Sequence, residues 1–278
     1  MNEARLVDAV ASILREAAAA AILPRFRALA AGDVEEKSPG EIVTRADREA
    51  ERLLLPRLLA LVPGSVAIGE EQAAADPSVL ARIDADAVWL VDPLDGTANF
   101  VAGDPRFAVM AALLRRGEAV ASWMLDPLGD VVRTAVRGAG AHVGHERVRC
   151  RAAPVATADL RGAVLTRFLP PEIAAAIADR AGSIGRITSG VRCAGVEYPA
   201  IVDGAQEFAI FWRTLPWVHA PGALFVTEAG GRVTRLDGSR YCVGDGRSGL
   251  FVARDEGVAE QVRNVLLGVV PHGTGGRR

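Results

Sequence analysis

Asp92-Pro93-Leu94-Asp95-Gly96-Thr97 is the segment whose residue types and spacing point most directly to chemistry. It follows the apolar run Val88-Trp89-Leu90-Val91, whose length predicts a buried strand stopped by acid and proline. Pro93 removes a backbone donor and turns the chain out of the ladder. Both carboxylates and the Leu94 carbonyl then face one point, and Gly96 admits close backbone approach. Hard cations such as Mg²⁺ select carboxylate and carbonyl oxygens, and N–H groups near Gly96 and Thr97 suit a phosphate that touches the same ions. The same string is also simply a good turn, because each residue type in it favours turns.

Further acids tip the balance. Glu70 and Glu71 end the short apolar run Val66-Ala67-Ile68, which places Glu70 to share an ion with Asp92 and leaves Glu71 as a solvated loop acid. Asp47, in Thr44-Arg45-Ala46-Asp47, reads alone as an ordinary acid in the first turn of a helix and gains meaning only beside a partner.

The elements that must position these residues follow from periodicity and punctuation. Residues 1–31 carry Leu6, Val10, Ile13, Leu14 and Ala17 at helical spacing, with Pro24 as a kink or second start. Gly32 to Gly40 is polar and turn-rich, and a long charged helix runs from Ala46 to Leu61. Phe107–Leu114, Ala119–Leu125 and Asp130–Val136 are apolar runs separated by turn signals, the pattern of an antiparallel meander. A polar, Pro-containing stretch near Cys150 to Ala158 opens a second series of strands and helices. The expected organisation is α/β (α+β): residues 1–150 form N-terminal helices plus an antiparallel sheet carrying the metal site, 151–270 an α/β subdomain, and 271–278 a flexible tail.

Four blocks together carry a family resemblance. Ile42-Val43-Thr44-Arg45-Ala46-Asp47, Gly69-Glu70-Glu71, Trp89 through Phe100, and Trp217 through Glu228-Ala229-Gly230-Gly231 resemble the inositol monophosphatase family in order and spacing. The resemblance implies a layered α-β-α-β-α sugar-phosphatase fold, Mg²⁺-dependent phosphomonoester hydrolysis, lithium sensitivity and a homodimer. It implies that Glu70, Asp92 and the Leu94 carbonyl hold one Mg²⁺, and that Asp92 with Asp95 holds a second. Thr97, oriented by Asp47, would act with Glu70 to position and deprotonate the attacking water, and the Gly96 and Thr97 amides would hold the phosphate.

One position departs from the pattern. The family carries an aspartate ligand directly after the tryptophan of the C-terminal block, and here that residue is Val218. Neighbouring residues on a helix point about 100° apart and imidazole is a poor partner for Mg²⁺, so His219 is not an expected substitute. The expectation is a weakened second metal site; the competing reading is a relative that binds metal and phosphoester without efficient turnover. Arg192 and Glu197 are the candidates to touch the substrate alcohol or a second charge, with a plain surface pair as the alternative. Phe211 falls where animal inositol enzymes carry a substrate-binding glutamate, which weakens an inositol assignment and leaves histidinol phosphate, a sugar phosphate or an adenosine 3′,5′-bisphosphate open, the absence of a dense Lys/Arg patch disfavouring the bisphosphate.

Composition excludes other classes. The 32 basic residues nearly balance 34 acidic ones, so no nucleic-acid or acidic-membrane footprint is expected and the partner is a small phosphorylated metabolite. Cys150, Cys193 and Cys242 lack CxxC spacing and read as reduced thiols. No apolar run approaches the roughly 20 residues of a membrane span. The N-terminus lacks the basic start of a signal peptide, and the expected location is cytoplasmic. His142 and His145 sit in a turn-like stretch without a third ligand, and the four tryptophans read as packing residues.

Overall fold

The computed structural model describes residues 3–38, 40–151 and 154–267. The expected tail at 271–278 lies outside the described residues.

The chain opens with α1 (Glu3–Ala17), which runs into a π turn and a short 3₁₀ turn containing Pro24. The ribbon β1 (Val34–Ser38) and β2 (Glu41–Thr44) follows, then α2 (Arg45–Leu61). The ribbon corrects the expectation of a turn-rich segment throughout 32–40: turns are kept at Gly32 (φ +90°) and Gly40 (φ +74°), and the mostly polar residues Val34–Ser38 between them form a largely exposed strand.

The seven-stranded sheet comprises β3 (Val66–Gly69), β4 (Val88–Asp95), β5 (Ala108–Arg115), β6 (Glu118–Asp126), β7 (Val131–Val136), β8 (Gly140–Val143) and β9 (Glu146–Val148), in that spatial order. Between them lie α3 (Glu70–Ala75) and α4 (Thr97–Val101). The sheet is not wholly antiparallel. The chain leaves β3 through α3 and a 3₁₀ segment and returns to enter β4 from the same end, so β3 and β4 pair in parallel. His142 belongs to β8, not to a loop.

The second sheet has the order β11–β10–β12–β14–β13. Its strands are β10 (Arg161–Val164), β11 (Arg186–Thr188), β12 (Phe208–Phe211), β13 (Arg232–Thr234) and β14 (Leu250–Ala253). Helices α5 (Pro171–Ala178), α6 (Ala194–Val202), α7 (Pro216–Glu228) and α8 (Glu256–Val262) complete the molecule.

Period-two alternation sorts the core into layers. Trp89, Val91, Val109, Ala111 and Trp123 point to one face of the first sheet, where Val10, Leu14, Ala50 and Leu54 of α1 and α2 cover them. Val88, Leu90, Met110 and Ala112 point to the other face, against Tyr198 and Ile201 of α6 and Leu224 and Phe225 of α7. Those two helices also cover Ala209 and Val252 of the second sheet, whose far face buries Ile210 and Phe251 under Ile173, Ile177 and Val258 of α5 and α8. The result is α-β-α-β-α. Each large apolar side chain so enclosed contributes about 1.5–3 kcal/mol relative to exposure, which is why α6 and α7, apolar on nearly every side, sit between the sheets.

Candidate active site

The central strand β4 is interrupted where it matters. Asp92 lies opposite Met110 and Asp95 opposite Ala108, so three steps on β4 span two on β5. Pro93 supplies no donor to the ladder, and the extra residue makes a bulge. Without it Asp92 and Asp95 would face opposite sides of the sheet; with it both face the side where α6 and α7 lie. The Leu94 N–H donates to Asp92 Oδ1 at 3.1 Å, which fixes the bend. Gly96 then takes φ +87°, and a Cβ there would stand 2.9 Å from the Arg106 carbonyl oxygen, so only glycine turns the chain into α4 at this point.

Thr44 caps α2. Its hydroxyl accepts from Ala46 N–H and donates to Asp47 Oδ2 at 2.5 Å, and its own N–H donates to the same oxygen at 2.8 Å. Asp47 Oδ1 is thereby left for Thr97, whose hydroxyl lies 3.0 Å from it and 3.0 Å from the Leu94 carbonyl. Thus the residue that alone reads as a helix-cap acid does cap, and with its other oxygen reaches the β4 turn. Burial pushes Asp47 up to about 7, against the hydrogen bonds from Thr44.

Glu70 opens α3 at the end of β3, close to β4 through the parallel pairing. Its Oε1 accepts from Lys37 Nζ at 2.6 Å, and the same ammonium reaches Glu71 Oε1 at 2.8 Å. Glu71 is therefore not a solvated acid but a mostly buried one, and burial raises its pKa. Burial alone would lower the pKa of Lys37; the charges of Glu70 and Glu71 outweigh it and hold the ammonium above the ordinary lysine value. Lys37 escapes a sequence reading because it lies in the segment read as a turn. Glu51 accepts from the Glu71 and Gln72 N–H groups at 2.8 Å each and so anchors the start of α3.

Asp95 Oδ2 accepts from Gly195 N–H at 2.7 Å and from Cys193 Sγ at 3.2 Å. These two contacts tie the β4 turn to the start of α6, and neither is visible in the sequence. Burial pushes Asp95 up to about 6. Asp92 is driven well above the usual carboxylate range, first by burial and then by the charges of Glu70, Asp95 and Asp47.

Lys37, Glu70, Asp92, Leu94 and Asp95 line one wall of a cavity of about 540 Å³ that also touches Gly96, Thr97, Arg192, Phe211 and Val218; Asp47 reaches it through Thr97. Among the described residues no three His, Cys, Asp or Glu side chains stand ready to cage an ion, and Glu70 is ion-paired with Lys37. The donor chemistry nevertheless fits a hard cation. The wall offers carboxylate oxygens and the Leu94 carbonyl, and the raised pKa values of Asp92 and Asp95 mark carboxylates short of positive charge. Lys37 stands in for part of that charge.

Val218 lies on the same cavity, and nothing replaces the carboxylate that the resemblance expects there. His219 Nδ1 accepts from the Tyr198 hydroxyl at 2.8 Å and Nε2 donates to the Arg213 carbonyl at 2.8 Å, so both nitrogens face away from an ion. Burial lowers its pKa to about 4. Arg192 reaches the cavity, whereas Glu197 does not line it. The Glu197 carboxylate instead accepts a short hydrogen bond from Val191 N–H and one of 2.7 Å from Gln206 Nε2.

Comparison with known proteins gives the family and the fold. The model of the inositol monophosphatase family matches residues 3–267. The chain belongs to the inositol monophosphatase family. It is 30% identical over 240 residues to an inositol-1-monophosphatase of Rhizobium meliloti, covering 86% of this chain and 87% of that protein. It is 34% identical over 218 residues to the Nus factor SuhB of Pseudomonas aeruginosa, with coverage of 74% and 76%. The fold superimposes on an IMPase of Thermotoga maritima with a TM-score of 0.79 at 25% identity, covering 95% of this chain and 97% of that one. The layered fold is thus the family's.

Proposed function

We propose that the protein hydrolyses a small phosphomonoester with Mg²⁺ as cofactor, a sugar, inositol or histidinol phosphate being the starting class. The observation that carries this reading is the convergence of Glu70, Asp92, Asp95 and the Thr97–Asp47 pair on one wall of one cavity. Glu70, Asp92, Asp95 and the Leu94 carbonyl would hold the ion. Bound Mg²⁺ would supply neutralisation of the phosphoryl oxygens and of the leaving alkoxide. Thr97 holds a water with its oxygen while its proton rests on Asp47, whose raised pKa suits proton exchange near neutrality. Gly96 and Thr97 offer backbone N–H groups to the phosphate. Among relatives, the Rhizobium meliloti protein bears the name of this activity.

Val218 favours a second reading, a protein that binds ion and ester with little turnover. Without a carboxylate at 218, a second ion binds weakly and the leaving oxygen loses its support. A Mg²⁺ titration of phosphate release over a phosphoester panel separates the two: metal-dependent release supports the enzyme, and binding without release supports the impaired relative. Family resemblance extends the proposal to a cytoplasmic homodimer, which light scattering on the purified chain tests for its oligomeric part.

A further inference from the structure

The outer half of the cavity is chemically unlike the acidic wall. Phe168, Phe211, Trp212, Leu215 and Val218 line it, with Thr166 and Ser189 as the hydroxyl-bearing residues beside them. Both nitrogens of His219 are engaged with Tyr198 and Arg213, and Glu41 is ion-paired with Arg213. Phe211 is braced from behind by Tyr198, stacked at 5.2 Å with 14° between the planes. Phe168 is 40% exposed, a large ring held open at the mouth with the Arg213 guanidinium 4.3 Å from its centroid. A polyol placed against these rings would regain only part of its hydrogen bonding, from Thr166, Ser189 and the arginines, whereas a flat apolar group would exchange water for aromatic faces.

Besides Lys37, three arginines line the cavity: Arg213 is ion-paired with Glu41, Arg167 lies with its guanidinium 4.8 Å from the centre of the Phe168 ring, and the third is Arg192. Arg192 reaches the cavity from an exposed position, and its guanidinium has no ion-pair partner among the described residues. Its backbone is left-handed, at φ +58°, which a non-glycine residue adopts only when its surroundings impose it. The surroundings are visible. Val191 is pinned at its N–H by Glu197 and at its carbonyl by Asn99 Nδ2 at 2.7 Å, and Gly190 beside it has φ +73°. Glu197 is therefore a positioning residue for the loop that presents Arg192.

We propose that this half of the cavity is a subsite for the alcohol portion of the substrate, and that it selects a phosphomonoester bearing a planar apolar group and a second anion, the anion held by Arg192. Only the fate of the ester rests on the phosphatase reading; binding in the subsite does not.

The test compares myo-inositol 1-phosphate, 2-phenylethyl phosphate and O-phospho-3-phenyllactate, all alkyl esters, so that phenol acidity does not accelerate any of them. The carboxylated aromatic ester is expected to exceed the inositol ester at least tenfold in kcat/KM. Arg192→Ala should lower the ratio of carboxylated to uncharged aromatic ester at least tenfold. Preference for the inositol ester, or an equal loss on both aromatic esters, which would put Arg192 on the reacting phosphate, overturns the proposal. Calorimetry with the three corresponding phosphonates keeps the failures apart. The same preference in binding without turnover of any ester leaves the subsite standing and removes the phosphatase reading. Turnover or binding without preference removes the subsite alone.

Discussion

The two walls of the cavity are built by opposite means. On the acidic wall each carboxylate is held by a neighbour that occupies one oxygen: Leu94 N–H on Asp92, Gly195 N–H and Cys193 on Asp95, Thr44 on Asp47, Lys37 on Glu70. Like charges are thus fixed close together in a buried setting, which favours a cation or a proton as the missing partner. The opposite wall holds its aromatic rings by packing and engages both nitrogens of its histidine in hydrogen bonds. One wall is completed by charge and the other by apolar surface, and Val218 is where the second has taken a position from the first.

The largest expected effect breaks the acidic wall. Asp92 lies at its centre, repelled by Glu70, Asp95 and Asp47. Asp92→Asn should reduce phosphate release by about 10²–10³-fold, the scale of losing several kcal/mol of charge stabilisation. It should also raise the melting temperature of the metal-free protein, because a repelled charge is gone, and abolish the stabilisation given by Mg²⁺. A variant that keeps its Mg²⁺-induced melting shift would place the ion elsewhere.

Next in size is the reverse operation, extending the acidic wall across the cavity. Val218→Asp should raise Mg²⁺ affinity and kcat by about 10–100-fold, the scale on which groups around an ion change affinity and rate. Titrating both proteins with Mg²⁺ under one assay reads the difference. Equal curves would mean that Val218 is a neutral helix residue and that the walls do not compete for it.

Legibility in the sequence follows the same division. The β4 acids and Pro93 could be read because strand, bulge and turn are local and their signals contiguous. The packing order of the layers was available only through the family resemblance, because β4 and β5 are apolar and buried on both faces and carry no polar alternation. The role of Glu197 was not. Its helix start faces the cavity, but the side chain turns back to Val191 and Gln206, a choice made by tertiary contacts. Lys37 was hidden by a strand whose residues are almost all polar and exposed, leaving no hydrophobic alternation to detect. Contacts across about a hundred residues, such as Gly195 with Asp95, leave no trace in spacing at all.

A smaller effect appears in the pH dependence of the metal-free protein. Asp47 and Glu51 both move up to about 7, and Asp95 to about 6, each chiefly through burial. Between the ordinary carboxylate values near 4 and these raised values, the folded chain binds more protons than the unfolded chain, so stability falls as pH rises through that window. Chelator-treated protein should therefore melt at a lower temperature at pH 8 than at pH 5. Mg²⁺ should stabilise it more at pH 8, where it meets no competing proton. A melting temperature that climbs over this range without metal would show that paired surface acids, not the acidic wall, govern the pH response.

The smallest effect probes His219, the one residue placed where either wall has a claim on it. Its Nε2 donates to the Arg213 carbonyl, which makes Nδ1 the acceptor of the Tyr198 hydroxyl and fixes a neutral ring. Tyr198→Phe keeps the stack on Phe211 but leaves Nδ1 buried without a donor, a loss of about 1–3 kcal/mol. Urea denaturation measures it. Mg²⁺ affinity should not change, since the ring serves the packing of α6 against α7 and lies outside the ion's reach. If affinity instead rises or falls with the hydroxyl, the freed imidazole is answering to the ion, and the residue beside Val218 belongs to the acidic wall after all.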